Sequence, residues 1–142
     1  MTIHPASQTE MEQAIGLLAL HQLPTSDISA GTQLFVAKEN DEVLGTVAVE
    51  YNFDDALLRS LSVAERKRNS GLGSALVDFI EDYVRKQGVR AMYLLTTTAA
   101  SFFSKKGYRV IAREEAPPFI RGTSEYSSVC PSSASFMKKD LV

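Results

Sequence analysis

Residues 65–76 read "ERKRNSGLGSAL" and set three basic side chains, a polar pair and two glycines between two apolar runs. The run before them, "ALLRSLSV" (56–63), reads as a strand. The run after them is a helix, with Leu72, Leu76, Phe79, Ile80 and Tyr83 on one stripe, Glu81 placed to pair with Arg85, and Gly88 at the expected stop. Glycines at a strand-to-helix junction let the backbone approach a ligand closely. The helix start also offers unpaired N–H groups and the positive end of the dipole, which favour phosphate. Arg66, Lys67 and Arg68 add mobile positive charge there. A solvated turn with glycines only for its bends stays open on this segment alone. Two rival phosphate sites fail: no Gly-Lys-Ser/Thr follows as a P-loop requires, and a dinucleotide fold wants a small residue at Leu76 and an acid where the next strand ends in Thr96–Thr98.

Working outward, "IHPAS" (3–7) reads as a short strand, and Ser7 with Glu10 forms a capping box opening a helix. That helix places Met11, Ala14, Ile15 and Leu18 on one face and ends by Pro24. "TQLFVAKEN" and "EVLGTVAVEY" are strands meeting in a hairpin at Asn40-Asp41. Past the central helix, "AMYLLTT" is a buried strand, "AASFFSKKG" a short helix ending at Gly107, and "YRVIAR" a strand. "PPFIRGTSEYSS" is helical, and "SASFMKKDL" closes the sheet. The order β-α-β-β-β-α-β-α-β-α-β predicts a mixed α/β (α+β) sheet of about six to seven strands flanked by helices on both faces. It contains one hairpin and one βαβ crossover, and residues 1–142 form a single domain.

The 142 residues carry a formal net charge of −2, which speaks against nucleic-acid binding on a basic face. Cys130 is the single cysteine, so no internal disulfide and no cysteine zinc cage forms, and no metal site is expected. The N-terminus lacks a signal-peptide pattern, and no apolar run approaches the ~18 residues that span a bilayer. A cytoplasmic protein is expected, with exposed sheet edges suited to pairing as a homodimer.

"RNSGLG" matches the R-x-x-G-x-G/A signature of the GNAT family of N-acetyltransferases, and the chain resembles that family over nearly its whole length, in the right order. "LLRSLSV", "YLLTTTAASFFSKKGY" and "SSVCPSSASFMKKDL" further resemble a subgroup found with arsenic-resistance functions, itself similar to the acetyltransferase domain of N-acetylglutamate synthases. The resemblance implies acetyl-CoA as co-substrate. Its diphosphate would rest on the main-chain amides of Arg68, Asn69, Ser70, Gly71, Leu72 and Gly73, with Ser74 nearby. Its pantetheine arm would run beside Leu61, Ser62 and Val63, and an N–H near Val63 would polarise the thioester carbonyl.

Amine acetylation also needs a base, since a protonated amine has no free lone pair. Glu50, at the end of its strand, is the candidate; a solvated strand-end carboxylate is the alternative. Many members place a tyrosine acid four residues before the glycine ending the short helix, where this chain has Phe103, which leaves Ser104, Tyr108, another tyrosine or water. Arg59, alternating onto the face of Leu61 and Val63, and Arg121 are candidates for holding an amino-acid-like substrate by its carboxylate, with Thr97 near the cleft. The acceptor is then a small amine, glutamate-like or an organoarsenical amino acid, acetylated by direct transfer. A non-catalytic acyl-CoA-binding module and a protein-lysine acetyltransferase are the alternatives. Cys130 reads as a buried small hydrophobe, and His4 and His21 as surface or locally satisfied residues.

Overall fold

A computed structural model describes residues 1–23, 25, 32–129 and 133–142 of the chain. Pro24 and Cys130 therefore lie outside the described residues. The elements run β1 (Thr2–Pro5), α1 (Gln8–Leu20), β2 (Gln33–Glu39), β3 (Glu42–Tyr51), β4 (Asp55–Val63), α2 (Leu72–Lys86), β5 (Ala91–Thr96), α3 (Ala100–Lys105), β6 (Arg109–Val110), α4 (Pro118–Arg121) and β7 (Ser135–Asp140). They build a seven-stranded sheet in the order β1-β2-β3-β4-β5-β7-β6. All neighbours are antiparallel except β4 and β5, which α2 joins as the βαβ crossover. The expected element order and mixed α/β sheet are observed.

Local chemistry sets the ends of these elements. Ser7 Oγ accepts from the Glu10 N–H at 3.2 Å while Glu10 Oε1 accepts from the Ser7 N–H at 2.9 Å, closing the capping box of α1. Asn40 and Asp41 take φ of 51° and 64°, the left-handed pair that matches the twist of a two-residue hairpin. Gly71 caps α2 at φ 87°, a conformation that penalises any Cβ. On one face of the sheet, α2 and α3 cover Phe35, Leu44, Val47, Leu58, Met92 and Met137. On the other, Ile120 of α4 lies over Leu57, Tyr93 and Phe136, and Ala14 of α1 lies over Leu34, Val36 and Ala48.

Four expectations need correction. Ile15 is 36 % exposed, because α1 buries Glu10, Ala14 and Leu18 instead. The strand expected in "YRVIAR" is only Arg109–Val110, and β7 inserts between it and β5. The helical reading of "PPFIRGTSEYSS" resolves into α4 and a π-helical turn, Glu125–Val129. Glu81 does not pair with Arg85: it is buried, accepts from Tyr108 Oη at 2.9 Å and pairs with Lys139 Nζ at 2.9 Å, while Arg85 binds Asp82.

Candidate active-site cleft

The parallel pairing of β4 with β5 covers only Asp55–Ala91, Ala56–Met92 and Leu57–Tyr93. Beyond it, β4 stays bonded to β3, and β5 to β7, but the two strands part. A cleft of about 420 Å³ opens where they separate, with Arg59 to Val63 on one wall and Leu94 to Ala99 on the other. Phe103, Arg68, Glu125 and His21 also line it.

A bulge in β4 decides what each wall presents. Thr46 pairs with Ser62 but Ala48 pairs with Arg59, so β4 holds an extra residue there, and Ser60 adopts φ 57°. Thr46 Oγ1 fixes the bulge by donating to Ser60 O at 2.8 Å. The bulge reverses the side-chain alternation. Leu61 and Val63 pack toward α2, whereas Arg59 and Ser62 face the opposite layer, so Arg59 does not share a face with Leu61 and Val63 as simple alternation predicted. Ala64 N–H donates to Leu44 O at 2.8 Å, which turns the Val63 N–H away from β3 and into the cleft.

At the mouth, the first main-chain bond of α2 runs from Ala75 N–H to Gly71 O. The amides of Leu72, Gly73 and Ser74 are thereby left without an acceptor among the described residues. A Cβ on Gly71 would meet nothing within 4 Å, so the space above the turn is open. Asn69 at φ 63° and Gly71 at φ 87° are the left-handed residues that curl this backbone into an anion-binding concavity. Arg68 differs from expectation, since its N–H is used by Glu65 O at 3.2 Å. The basic side chains differ too: Arg66 pairs with Glu42 and Lys67 with Glu39, so only Arg68 lacks a carboxylate partner among the described residues. Lys106 Nζ, from the turn after α3, binds Ser74 Oγ at 2.7 Å and Asp78 at 2.6 Å, clamping that turn to the start of α2.

Side chains of the opposite layer form a buried ion triad. Arg59, whose side chain is fully buried, sends Nη1 to Glu50 Oε2 and Nε to Glu125 Oε2, both at 3.2 Å, and Nε also to Ser60 Oγ at 3.2 Å. Arg121, expected beside it, is not brought to the cleft; it donates to Glu114 O and Ala116 O and ties down the turn before α4. Thr97 lines the cleft wall and is exposed. Tyr108, a candidate acid, has its hydroxyl committed to Glu81, and burial pushes its phenol far above the usual range. No tyrosine lines the cleft among the described residues.

His21 and Glu125 are cleft residues that sequence reading missed; Glu125 sits in the turn after α4 and reaches the cleft through its pairing with Arg59, and His21 comes from the end of α1. His21 caps that helix, and its Nδ1 meets Ser62 Oγ while its Nε2 lies 3.2 Å from Arg68 Nη2. A guanidinium only donates, so Nε2 is the accepting nitrogen, and Nδ1 carries the proton toward Ser62. Partial burial, and then the charge of Arg68, hold its pKa below the ordinary histidine value, which keeps the ring neutral. His4, by contrast, bonds Glu10 at 2.9 Å as a locally satisfied residue.

The family described as "Acetyltransferase (GNAT) domain" matches residues 30–110. The chain belongs to the GNAT acetyltransferase family. Within that family, the GNAT chain is similar to an uncharacterised N-acetyltransferase of Chlorobaculum tepidum, 37 % identical over 87 residues, with 61 % of this chain and 56 % of that protein covered. A putative acetyltransferase of Bacillus subtilis is 32 % identical over 83 residues, covering 58 % and 56 %. The match thus spans about half the length of these curated relatives.

Among solved structures, N-acetylglutamate synthase of Neisseria gonorrhoeae, in complex with coenzyme A and N-acetyl-glutamate, superposes at TM-score 0.82 with 16 % identity, over 99 % of this GNAT chain and 35 % of that one. A Mycobacterium tuberculosis protein in complex with CoA superposes at 0.79 with 19 % identity over 100 % of both chains. The described residues contain no cluster of three or more His, Cys, Asp or Glu able to hold a metal, and no helix long and apolar enough to cross a membrane.

Proposed function

We propose that this GNAT domain transfers the acetyl group of acetyl-CoA directly to the nitrogen of a small amine. The observation that carries the proposal is the parting of β4 from β5 between an amide-lined mouth on one side and a carboxylate-bearing triad on the other. The amides of Asn69 to Ser74 and the Arg68 side chain would hold the diphosphate, and the open space above Gly71 suits it. Val63 N–H, aimed into the cleft beside Leu61 and Ser62, would stabilise the oxyanion that develops on the thioester carbonyl.

Glu50 is not itself among the residues lining the cleft but pairs with Arg59, which is, and it would take the proton of the incoming ammonium through an intervening water. The nitrogen then attacks the carbonyl carbon, the C–N bond forms and the C–S bond breaks. The second proton on nitrogen passes to the departing thiolate, so the step closes without the tyrosine that Phe103 replaces. Ser62 is not set up as an acyl-accepting nucleophile, because the histidine nitrogen facing it is the protonated one. Arg59 lines the cleft while paired with Glu50 and Glu125, so an acceptor carboxylate, amino-acid-like or organoarsenical, would share that guanidinium with them, whereas Arg121 is engaged by Glu114 O and Ala116 O.

A thiol-release assay over a panel of amines tests the proposal. CoA should appear with at least one small amine, and Glu50→Gln should slow it by about 100-fold, the usual worth of a general base. No release with any amine despite tight CoA binding would leave a non-catalytic CoA-binding module.

A further inference from the structure

We propose that the Ser62 hydroxyl donates to the sulfur of the departing thiolate, with His21 and Arg68 as the positioning residues that turn its proton into the cleft. The inference rests on the acetyl-transfer reading above and adds a donor where Phe103 supplies none. It follows from the directions of three hydrogen-bonding groups in series. The Arg68 guanidinium can only donate, and it reaches His21 Nε2 at 3.2 Å. The neutral ring then carries its single proton on Nδ1, which faces Ser62 Oγ. Ser62 Oγ is therefore the acceptor toward the histidine, and its own proton points elsewhere. That hydroxyl has no second partner among the described residues, although Ser62 is only 5 % exposed and lines the cleft.

Backbone geometry places the hydroxyl beside the reacting bond. The bulge at Ser60 sets Ser62 toward the end of α1, where His21 stands, rather than toward α2. Ser62 is joined directly to Val63 by the peptide whose N–H enters the cleft. A thioester carbonyl held by that N–H would put its sulfur within a few ångströms of Ser62 Oγ. As the C–N bond forms and the C–S bond breaks, the electron pair collects on sulfur and the hydroxyl donates a hydrogen bond to it. The second nitrogen proton then ends on sulfur to give the CoA thiol, while Ser62 keeps its own proton. A cation at the head of the series strengthens each donor after it. The other N–H groups of Arg68 stay available to the diphosphate, so the cofactor and the hydroxyl share one guanidinium.

A thiolate absorbs in the ultraviolet, so a pH titration of the CoA complex, read against the desulfo-CoA complex, gives the pKa of the bound thiol without turnover. In the wild type this midpoint should lie at least about one pH unit below that of free CoA, the worth of one hydrogen bond to a charged group. Ser62→Ala should restore it, Ser62→Thr should keep it low, and His21→Ala should leave it between the two. With acetyl-CoA and the best amine, kcat should fall about tenfold in Ser62→Ala while KM for acetyl-CoA holds. Thermal unfolding confirms that the variants are folded, and an unshifted wild-type midpoint overturns the inference even if one is not. A depression that persists in Ser62→Ala overturns it too, and one that His21→Ala leaves unchanged removes the histidine from it. Calorimetry with CoA separates the two readings. Tight binding with an unshifted thiol defeats this inference alone, whereas no binding by the full chain defeats the transfer reading as well. A lowered midpoint that depends on Ser62, with no acetyl transfer to any amine, would support the inference and defeat that reading.

Discussion

Arg59 Nε lies 3.2 Å from Glu125 Oε2, so a strand residue at the parting of β4 from β5 is tied to the turn that follows α4. This bond joins the sheet to the segment that walls the acceptor end, and Glu50 shares the same guanidinium. Removing the arginine would leave two carboxylates facing each other with little access to water. Arg59→Met should therefore cost about 3 kcal/mol, the usual loss when one partner of a buried ion pair is deleted. Urea unfolding measures it, and a loss below about 1 kcal/mol would mean the triad is effectively solvated.

Gly71 offers a cleaner test of the mouth. A methyl group there meets no atom within 4 Å, but φ of 87° makes any Cβ strained. Gly71→Ala should destabilise the fold by only about 1 kcal/mol. Its KM for acetyl-CoA should nevertheless rise about tenfold, because the turn can no longer present its amides in the same curl. Steady-state kinetics beside thermal unfolding separates the two effects.

The features legible in the sequence were those with local causes. Ser7 and Glu10 announce a helix start, Asn40-Asp41 a hairpin, and Gly71 with Gly73 an amide-lined corner, each within a few residues. The features that escaped are long-range. Ser60 carries no glycine to advertise its left-handed φ, yet the bulge it makes puts Arg59 on the face opposite Leu61 and Val63. Glu81 looks like a surface partner for Arg85 by helical spacing, but its actual partners stand 27 and 58 residues away. His21 reaches the cleft only because Ser62, 41 residues on, folds beneath the end of α1.

Tyr108 separates structure from chemistry. Its hydroxyl donates to buried Glu81 and takes no part in the cleft. Tyr108→Phe should lose about 2 kcal/mol of stability, the worth of a hydrogen bond to a charged group. Its kcat should be unchanged. A large drop in kcat with little loss of stability would instead make this phenol the acid.

Glu10 should contribute to the acid limb of stability. The Ser7 N–H, then His4 and Lys38, hold its carboxyl at about 2, against an ordinary value of 4.5. A depressed folded value means the contribution is complete above 4.5 and is lost as the pH falls toward 2. Thermal midpoints should therefore drop more steeply over that window in the native chain than in Glu10→Gln. Parallel curves would show that the three donors do not hold the charge.

Amide hydrogen exchange, with and without CoA, asks most directly whether the corner before α2 grips a diphosphate. Slowed exchange concentrated at Asn69 to Ser74 and at Val63 is the predicted result. Unchanged exchange across that stretch at saturating CoA, or protection confined to another part of the molecule, would contradict it.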